Sequence, residues 1–403
     1  EARSTAAGCH RGELTRMSLA DCHNVSDLRR RAARRLPDPL FHYIDGGSDD
    51  EWTLTRNRNA FAEYQLLPEV LRDVSRIDLS LRVFGQPLQL PFFLAPTGMS
   101  RLFHHERELA VARAAEKFGT LYSLSTLATT SLEEIAGAVS CPKMFQIYIL
   151  KDRELTREFV DRCRAAGYEA LCLTVDMAMA GNRERDLRTG MVMPPRFGMK
   201  SLWSFAAHPH WSLNFLLHPA FHLANVAHRV DALGSGAMGL IDYVNSQFDR
   251  TVTWNDLSWL RSLWDGPLVV KGVMSPADAV RARDAGVDAL MISNHGGRQL
   301  DGAPAPVDLI RPIRDAVGES LELICDGGIR RGSDVVKALA LGADACSIGK
   351  AYLYGLAAGG QASVERVLAL LQAEVARTMT LLGTSTIDAI GERHIAEMSR
   401  LAR

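Results

Sequence analysis

Short runs of apolar and β-branched residues alternate along the chain with stretches whose apolar positions recur at helical spacing. The runs begin 22 to 32 residues apart, which suits one strand plus one helix, except for a single interval of 97 residues. Because parallel strands need crossover connections of about this length, the pattern predicts eight consecutive strand–helix units. The predicted strands cover residues 90–96, 120–125, 144–149, 170–176, 267–273, 289–295, 321–326 and 345–349.

Helical patterns lie between these runs and before the first of them. A doubly wound sheet is the competing arrangement, but it stops at about five or six strands and carries a glycine-rich turn after the first strand. This chain has Pro96, Thr97 and Gly98 at that place. The pattern therefore favours the α/β class and a (β/α)8 TIM barrel. The predicted helices cover residues 25–36, 106–118, 132–139, 154–166, 254–264, 276–285, 307–317 and 333–341.

The long interval predicts an insertion after strand 4, at about residues 187–251, on the catalytic face of the barrel. Residues 201–228 contain no Asp, Glu, Lys or Arg but several tryptophans and phenylalanines, and Pro209 and Pro219 divide them into short pieces. Such pieces suit a membrane interface, and a lid on the barrel or a contact between subunits is supported nearly as well. Because no carboxylate or thiolate accompanies the histidines of this segment, we expect no metal site among them. These histidines are His208, His210, His218, His222 and His228.

Composition and charge narrow the function classes. The 403 residues are 47% hydrophobic and 23% charged with a net charge of -1, which indicates a folded protein and argues against a nucleic-acid-binding surface. The seven cysteines form no CxxC pair, so the sequence predicts neither a disulfide scaffold nor a zinc site and suits a reducing compartment. No run approaches the ~20 apolar residues of a spanning helix. Residues 1–17 lack the apolar core of a secretory signal, and Met17 could be the true start.

Polar residues follow the predicted strands at their carboxyl ends. In a TIM barrel these ends meet at one face, where the chemistry takes place. A single polar residue at a strand end is often only a cap, but acidic, basic and imidazole groups from eight strands are hard to explain as capping. We therefore expect a site formed by Gly98, Ser125, Gln146, Tyr148, Thr174, Asp176, Lys271, His295, Arg298, Asp326, Gly328, Arg330, Gly349 and Lys350.

Two segments of this face indicate binding of a phosphate group. Residues 326–332 read DGGIRRG, follow strand 7 and open a helix, and Gly349 and Lys350 follow strand 8. At this place in a barrel, backbone N–H groups, a helix N-terminus and basic side chains bind phosphate. A purely structural turn is the alternative for the same residues.

A base and a carboxylate binder are predicted after strand 6, where residues 293–301 read SNHGGRQLD. An ordinary histidine has a pKa near ~6.5 and can accept a proton at neutral pH, and His295 is the histidine of this segment. A nearby carboxylate such as Asp176 would orient its ring and stabilise the imidazolium. Arg298, together with Arg183 from just before the insertion, could hold a substrate carboxylate through paired hydrogen bonds.

Six motifs together resemble the FMN-dependent α-hydroxy-acid dehydrogenases and oxidases: FHYIDGG, LAPTG, FQIYI, LTVD, SNHGGRQLDG and DGGIRRG. Each is weak alone, and together they are highly specific. The resemblance extends from about residue 25 to residue 383. The GNRERD segment, the HPHW sequence and the apolar insertion are most similar to those of the membrane-associated L-lactate dehydrogenases and (S)-mandelate dehydrogenases. The domains expected are a barrel over residues 25–383, a disordered extension over residues 1–24 and a tail over residues 384–403.

The resemblance implies FMN as the cofactor and a role for each candidate residue. His295 is the implied active-site base and Asp176 its partner, and the implied ligands of the substrate are Arg298, Arg183, Tyr43 and Tyr148. Lys271 is implied to lie beside the N1/O2 edge of the flavin, where a cation stabilises negative charge. The residues implied to surround FMN are Thr97, Gly98, Ser125, Gln146, Thr174, Lys271, Ser293, Asp326, Gly328, Arg330, Gly349 and Lys350.

Three positions bear on the type of enzyme within the family. Lys350 stands where most members have Arg, so that a bidentate phosphate contact becomes a point charge. Leu127 occupies a position that is Trp in plant-type glycolate oxidases, which counts against glycolate. Gly98 is similar to the glycine of the dehydrogenases, whereas many oxidases have Ala beside flavin N5.

The function expected is oxidation of an (S)-2-hydroxy acid, of the L-lactate or (S)-mandelate type, to the 2-oxo acid, with electrons passed to a quinone or another membrane-linked acceptor. A soluble oxidase that reduces oxygen to hydrogen peroxide is the alternative. An FMN barrel that isomerises its substrate, as type 2 isopentenyl diphosphate isomerases do, or a noncatalytic flavin-binding module would leave His295, Arg298 and Arg183 unexplained. The resemblance also implies a homotetramer. We expect a cytoplasmic protein with peripheral contact to the inner face of the cell membrane through residues 201–228.

Overall fold

The strands of the chain form a closed parallel barrel and two small antiparallel pairs. The computed structural model describes residues 18–191, 196–218, 221–231 and 246–397. Its strands are β1 (Tyr64–Leu66), β2 (Leu81–Val83), β3 (Gln86–Leu88), β4 (Phe92–Thr97), β5 (Tyr122–Ser125), β6 (Lys143–Ile147), β7 (Ala170–Thr174), β8 (Leu268–Val273), β9 (Ala289–Ser293), β10 (Glu322–Asp326), β11 (Ala345–Ile348) and β12 (Ile395–Glu397). β4 to β11 each pair with the next strand, and β11 pairs with β4. The predicted (β/α)8 TIM barrel is confirmed.

Helices cover the outside of the barrel, and several begin at a side-chain cap that the sequence supplies. Asp152, for example, accepts hydrogen bonds from the backbone N–H groups of Glu154 and Leu155, each at 3.1 Å. The helices are α1 (Val25–Arg35), α2 (Asp38–Asp45), α3 (Trp52–Asn59), α4 (Arg107–Lys117), α5 (Leu132–Ala138), α6 (Arg153–Ala165), α7 (Glu184–Thr189), α8 (Met199–Ala207), α9 (Pro209–Leu217), α10 (Ala227–Asp231), α11 (Trp254–Leu263), α12 (Pro276–Asp284), α13 (Pro306–Val317), α14 (Gly332–Ala340) and α15 (Lys350–Leu382).

Strand residues alternate between two apolar cores. In β4, Phe92 and Leu94 pack outward against helices, whereas Phe93 points into the barrel. The hairpin of β2 and β3 adds Phe84 to the inner core, and the Phe84 backbone N–H donates to the carboxylate of Glu322 at the start of β10 (2.9 Å). The hairpin therefore fills the end of the barrel opposite to the carboxyl ends of the strands, which leaves the latter for ligands.

Neighbouring strands are in register at their carboxyl ends, which brings the polar residues there to one level. Asp326 is aligned with Ser347 on one side and with Ser293 on the other, and Thr174 is aligned with Lys271. The predicted strands ran up to two residues too far at this end, so Asp176, His295 and Gly349 lie in the loops that follow the strands.

Both ends of the predicted domain differ from expectation. Residues 18–24 are packed rather than disordered, because Cys22 is buried and the side chain of Asn24 caps α1 (3.0 Å to the N–H of Asp27). Residues 1–17 lie outside the described residues. The expected tail does not leave the barrel at residue 384: β12 pairs with β1, and the domain extends at least to residue 397.

The described part of the insertion consists of short helices, and Pro209 begins α9 as the sequence predicts. One face packs on the barrel, where the indole N–H of Trp211 donates to the Leu102 carbonyl (2.9 Å). The opposite face is apolar and exposed at Met199, Leu202, Trp203, Leu213, Leu216 and Leu217. Among the described residues, no helix has both the length and the hydropathy needed to span a membrane. The predicted break at Pro219 lies outside the described residues.

Candidate active site

A cavity of about 1120 Å³ opens at the carboxyl ends of the barrel strands. Ligand pockets of proteins measure ~300–1,000 Å³, so this cavity has room for a cofactor together with a small substrate. Its walls come from the loops that follow the barrel strands, from α2 and α3, and from the insertion. The site therefore lies where the sequence pattern places it.

His295 and Asp176 form a hydrogen-bonded pair at one side of the cavity, with 3.0 Å between Nδ1 of the ring and Oδ1 of the carboxylate. His295 has a φ of +58°, and Gly296 and Gly297 that follow it also have positive φ values. This left-handed turn directs the imidazole out of the strand and over the cavity. The other carboxylate oxygen of Asp176 has no hydrogen-bond partner among the described residues.

The environment of this pair keeps the histidine neutral and the aspartate charged. Burial lowers the pKa of His295, and the charge of Asp176 offsets part of that shift. Burial alone would raise the pKa of Asp176, but its interactions with His295 hold that pKa below the ordinary value. A neutral imidazole whose Nδ1–H is fixed by a carboxylate presents Nε2 as a proton acceptor.

Two guanidinium groups lie beside the ring of Tyr43 in the same cavity. The Cζ atom of Arg298 is 4.8 Å from the ring centroid and that of Arg183 is 5.3 Å from it. Arg298 donates to the Tyr43 carbonyl (2.5 Å), and Arg183 is held by Asp186 (2.6 Å). Burial and the neighbouring charge of Arg183 lower the pKa of Arg298. A carboxylate bound between the two groups would relieve this repulsion, which makes the pair suited to an anionic substrate.

Tyr148 supplies a phenol group near the pair. It follows β6, is buried, and meets the ring of Phe248 edge-on at 5.1 Å between centroids. Burial and the charge of Asp176 raise its pKa, so the hydroxyl keeps its proton at neutral pH and can donate a hydrogen bond to a substrate oxygen.

A buried lysine lies at the floor of the cavity. Lys271 Nζ is 3.1 Å from an Asp326 carboxylate oxygen and donates to Ser293 Oγ (2.8 Å). Ser293 donates in turn to Asp326 (2.7 Å), and Ser347 donates to its other oxygen. Burial opposes the charge on Lys271, but Asp326 and Asp176 hold its pKa above the ordinary value. The site thus keeps a fixed positive charge in a place shielded from water.

Unpartnered polar atoms beside this lysine fit the predicted FMN. Buried Gln146 Nε2 and Thr174 Oγ1 have no hydrogen-bond partner among the described residues, although both line the cavity. Buried polar groups are nearly always hydrogen-bonded, so these atoms indicate a polar ligand. Gly98 also lines the cavity, and a Cβ atom there would lie 3.0 Å from Leu127, so this part of the wall is backbone without a side chain. A flat heterocycle with polar edges, such as the flavin ring, matches this set.

The glycine-rich segment after β10 has the form expected of a phosphate site. Gly328 has a φ of +81°, and a Cβ atom there would lie 1.9 Å from the Asn57 carbonyl oxygen of α3. No other residue fits at this position, so the backbone turns closely beside Arg330, Gly349 and Lys350 at the cavity wall. Lys350 Nζ donates to the carbonyls of Gly46 (3.2 Å) and Gly296 (2.9 Å). Burial, with the charges of Arg298 and Arg330, places its pKa well below the ordinary value.

The structure brings nearly all of the predicted site residues to one cavity. The predicted residues that line it are Tyr43, Thr97, Gly98, Ser125, Gln146, Tyr148, Thr174, Arg183, Lys271, His295, Arg298, Asp326, Gly328, Arg330, Gly349 and Lys350. Asp176 and Ser293 do not line it. Asp176 lies behind His295, and Ser293 lies behind Lys271, where it also accepts the backbone N–H of His295 (3.1 Å). Ser293 thus supports Lys271 and His295, and its predicted contact with the cofactor stays a prediction.

Sequence reasoning missed the apolar wall of the cavity and the contribution of α3 to that wall. The wall includes Phe103, Met177, Met179, Leu187, Met191, Leu223 and Phe248. These residues carry no catalytic group and come from separate segments of the chain between residues 103 and 248. Asn57 of α3 is buried and bonds to Asn294 (2.8 Å), and the FHYIDGG motif gave no signal for a helix after it.

Comparisons with known proteins show which family this chain resembles. A profile of the family described as FMN-dependent dehydrogenase matches residues 32–397. The chain is 41% identical over 380 residues to an L-lactate dehydrogenase of Xanthomonas euvesicatoria pv. vesicatoria, covering 93% of this chain and 97% of that protein. It is 40% identical over 366 residues to an L-lactate dehydrogenase of Alcaligenes faecalis, covering 91% of this chain and 96% of that protein.

The similar solved structures include a mandelate dehydrogenase and a mandelate oxidase. A monotopic membrane protein, (S)-mandelate dehydrogenase, superimposes with a TM-score of 0.89 at 37% identity and covers 94% of this chain and 100% of that chain. A mandelate oxidase with (S)-4-hydroxymandelic acid superimposes with a TM-score of 0.80 at 37% identity, covering 93% and 98%.

Proposed function

This chain belongs to the FMN-dependent dehydrogenase family, and we propose on that premise that it oxidises an (S)-2-hydroxy acid of the L-lactate or (S)-mandelate type to the 2-oxo acid. One observation carries the proposal: His295, hydrogen-bonded to Asp176 behind it, lines the same cavity as two guanidinium groups. A 2-hydroxy acid carries a carboxylate next to a carbon that bears a hydroxyl group. The cavity thus offers an anion clamp and a base at adjacent places.

In the proposed reaction, Arg298 and Arg183 bind the substrate carboxylate, and Tyr43 and Tyr148 donate hydrogen bonds to its oxygens. Oxidation breaks the Cα–H and O–H bonds, forms the C=O bond, and removes two electrons and two protons. His295 accepts one of these protons at Nε2, and the other would be taken up with the two electrons by the bound FMN. Asp176 holds the ring through Nδ1 and stabilises the imidazolium that forms.

The cofactor is FMN, which accepts the two electrons when bound and passes them to the final acceptor. Lys271 would lie at its N1/O2 edge, and the unpartnered Gln146 and Thr174 would donate to other polar atoms of the ring. We propose that the phosphate lies against Gly328 and Arg330. The remaining ligands proposed are the Thr97 and Gly98 backbone, Ser125, Asp326, Gly349 and Lys350.

The proposed electron acceptor is a quinone or another membrane-linked carrier. Gly98 supports this because it carries no side chain where many oxidases of the family have Ala. The exposed apolar face of α8 and α9 supports peripheral binding to a membrane, as does the likeness to a monotopic membrane protein. We place that contact at the inner face of the cell membrane, on the cytoplasmic side. A homotetramer is proposed from the family resemblance alone.

The proposal is tested by mixing FMN-loaded protein with L-lactate, D-lactate, (S)-mandelate and glycolate without oxygen, while the visible absorbance of the flavin is followed. We expect bleaching by L-lactate or (S)-mandelate and not by D-lactate. Admission of air should then restore the flavin absorbance slowly, whereas addition of a soluble quinone should restore it quickly. Rapid recovery in air would establish the oxidase instead, and absence of bleaching by every acid would contradict the proposal.

A further inference from the structure

A buried glutamate of α4 bonds to two of the loops that form the cavity. Glu108 is the second residue of α4, and none of its side chain is exposed. The loops are those that follow β4 and β5, and they contribute Gly98 and Leu127, respectively, to the cavity wall. Glu108 does not line the cavity itself, so any effect that it has on a bound ligand passes through these loops.

The carboxylate of Glu108 accepts four hydrogen bonds, which come from both loops. Oε1 accepts the backbone N–H groups of Ser100 (3.1 Å) and Thr129 (3.0 Å). Oε2 accepts the hydroxyl groups of Thr129 (2.7 Å) and Thr130 (2.8 Å). Burial of a carboxylate costs free energy unless hydrogen bonds replace those to water, and both oxygens meet this condition here. Glu108 therefore fixes the position of one loop relative to the other.

The two loops also bond directly to each other beside the cavity. The Met99 N–H donates to the Leu127 carbonyl (2.9 Å), and the Arg101 N–H donates to Thr129 Oγ1 (3.1 Å). Gly98 precedes Met99, and a Cβ atom on it would lie 3.0 Å from Leu127. A change in the spacing of the loops would therefore change the cavity wall at Gly98 and Leu127.

The hydrogen bonds continue from Leu127 to the side-chain amide of Gln146. The Leu127 N–H donates to Ser125 Oγ (3.1 Å), and the Ser125 hydroxyl donates to Gln146 Oε1 (3.0 Å). Because Ser125 bonds to the oxygen of this amide, Nε2 is the atom that has no partner among the described residues. Gln146 is thus oriented to donate hydrogen bonds to the cofactor.

We propose that Glu108 is a positioning residue for FMN. It fixes the part of the cavity wall that includes Gly98, Leu127 and Gln146 without touching the cofactor. The two guanidinium groups of the substrate clamp belong to other loops, which follow β7 and β9. The effect of Glu108 therefore falls on the binding and the environment of the flavin, whichever acid is oxidised.

The test compares Glu108→Ala and Glu108→Gln with the unaltered protein, each loaded with FMN. The measurements are the rate of FMN release after dilution, followed by the fluorescence of free FMN, and the visible absorption spectrum of bound FMN. Because four donors lose their acceptor, Glu108→Ala should release FMN at least about tenfold faster and shift the absorption maximum. Glutamine keeps an oxygen that can accept the two N–H groups but loses the charge, so Glu108→Gln should lie between the two.

Glu322→Ala is the matched control, because Glu322 also accepts a backbone N–H, that of Phe84, but at the opposite end of the barrel. This variant should lower the Tm and leave FMN release and the spectrum unchanged. If Glu108→Ala does not fold, Glu108→Gln decides, with an expected increase in release rate of at least about threefold.

Unchanged release and an unchanged spectrum in the folded Glu108 variant would overturn the proposal. Equal changes in Glu322→Ala would also overturn it, because they would reflect a general loss of stability. Neither measurement uses oxidation of a hydroxy acid, so failure of the proposed reaction would leave this test valid.

Discussion

At the scale of single residues, the chemistry depends on how His295 is held. Burial favours its neutral form, and Asp176 returns part of the lost basicity while fixing Nδ1 as the donor. A base needs both properties, since it must be unprotonated before the reaction and able to carry the proton afterwards. The pair therefore accounts for a base that works at and below neutral pH.

Asp176→Asn should shift the pH dependence and lower the rate. Loss of the carboxylate removes the charge that raises the pKa of His295, so this pKa falls further and the acidic limb of kcat/KM moves to lower pH. Because the imidazolium loses its partner, kcat/KM at its pH-independent plateau should fall ~10²-fold or more. The measurement is kcat/KM against pH for flavin reduction, with the exposed Asp49→Asn as control. A limb that stays in place or moves to higher pH would contradict the account.

Lys350→Arg should slow the loss of FMN. Lys350 is partly buried, and its burial and the charges of Arg298 and Arg330 lower its pKa, whereas an arginine keeps its charge and can bind phosphate with two N–H groups. We expect FMN to dissociate roughly threefold to tenfold more slowly, measured by the fluorescence of released FMN after dilution. Faster release than from the unaltered protein would be inconsistent with a phosphate near this residue. Lys350→Met is the control in the opposite direction, because methionine carries no charge, and it should release FMN faster than the unaltered protein.

At the scale of elements, the insertion has two faces with different roles. Trp211 anchors α9 to the barrel, while the other face leaves leucines and Trp203 exposed. Large exposed apolar patches mark surfaces that bind a membrane or another protein.

Replacing Trp203, Leu216 and Leu217 together by Ser should reduce binding to lipid vesicles without lowering the Tm, because these side chains are exposed by 72%, 79% and 78%. The measurement is co-sedimentation with vesicles. Leu381→Ser is the control, since Leu381 is a similarly exposed leucine (71%) on α15. Undiminished vesicle binding of the triple variant would exclude this face as the membrane contact.

Hydrophobic spacing predicted the barrel strands and eight of the helices to within about two residues, because each has a continuous apolar face against a core. It missed α15 after the last barrel strand, and also α2 and α3, of which α3 rests on tertiary polar contacts. Thr53 of α3 donates its backbone N–H to Asp301 (2.7 Å), and Asn57 bonds to Asn294. Such contacts join residues about 240 positions apart and leave no periodic trace in the sequence.

At the scale of the whole molecule, motifs located the reactive groups but not the shape of the site. Strand ends converge by the geometry of the barrel, so His295, Lys271 and Arg330 could be assigned to one cavity from their positions alone. The apolar wall could not, because Phe103, Leu223 and Phe248 meet there only after the insertion has folded.

Phe84→Ala should destabilise the protein without changing the reaction. Phe84 is 5% exposed and lies edge-on to Phe93 at 6.1 Å, at the end of the barrel away from the site. The loss should be ~3–5 kcal/mol in the free energy of unfolding, measured by denaturant titration, with kcat nearly unchanged. Leu81→Ala, on the same hairpin but partly exposed, should cost less. A loss below about 1 kcal/mol for Phe84→Ala would show that the hairpin does not close the barrel core.

The most direct test of the account is the rate of anaerobic flavin reduction by an (S)-2-hydroxy acid in His295→Gln compared with the unaltered protein. The side chain of His295 is placed here as the proton acceptor and not as an FMN ligand, so the variant should retain its FMN. Its reduction rate should fall by ~10²–10⁴-fold. An unchanged rate in an FMN-loaded variant would contradict the assignment of His295 as the base and, with it, the proposed reaction of this site.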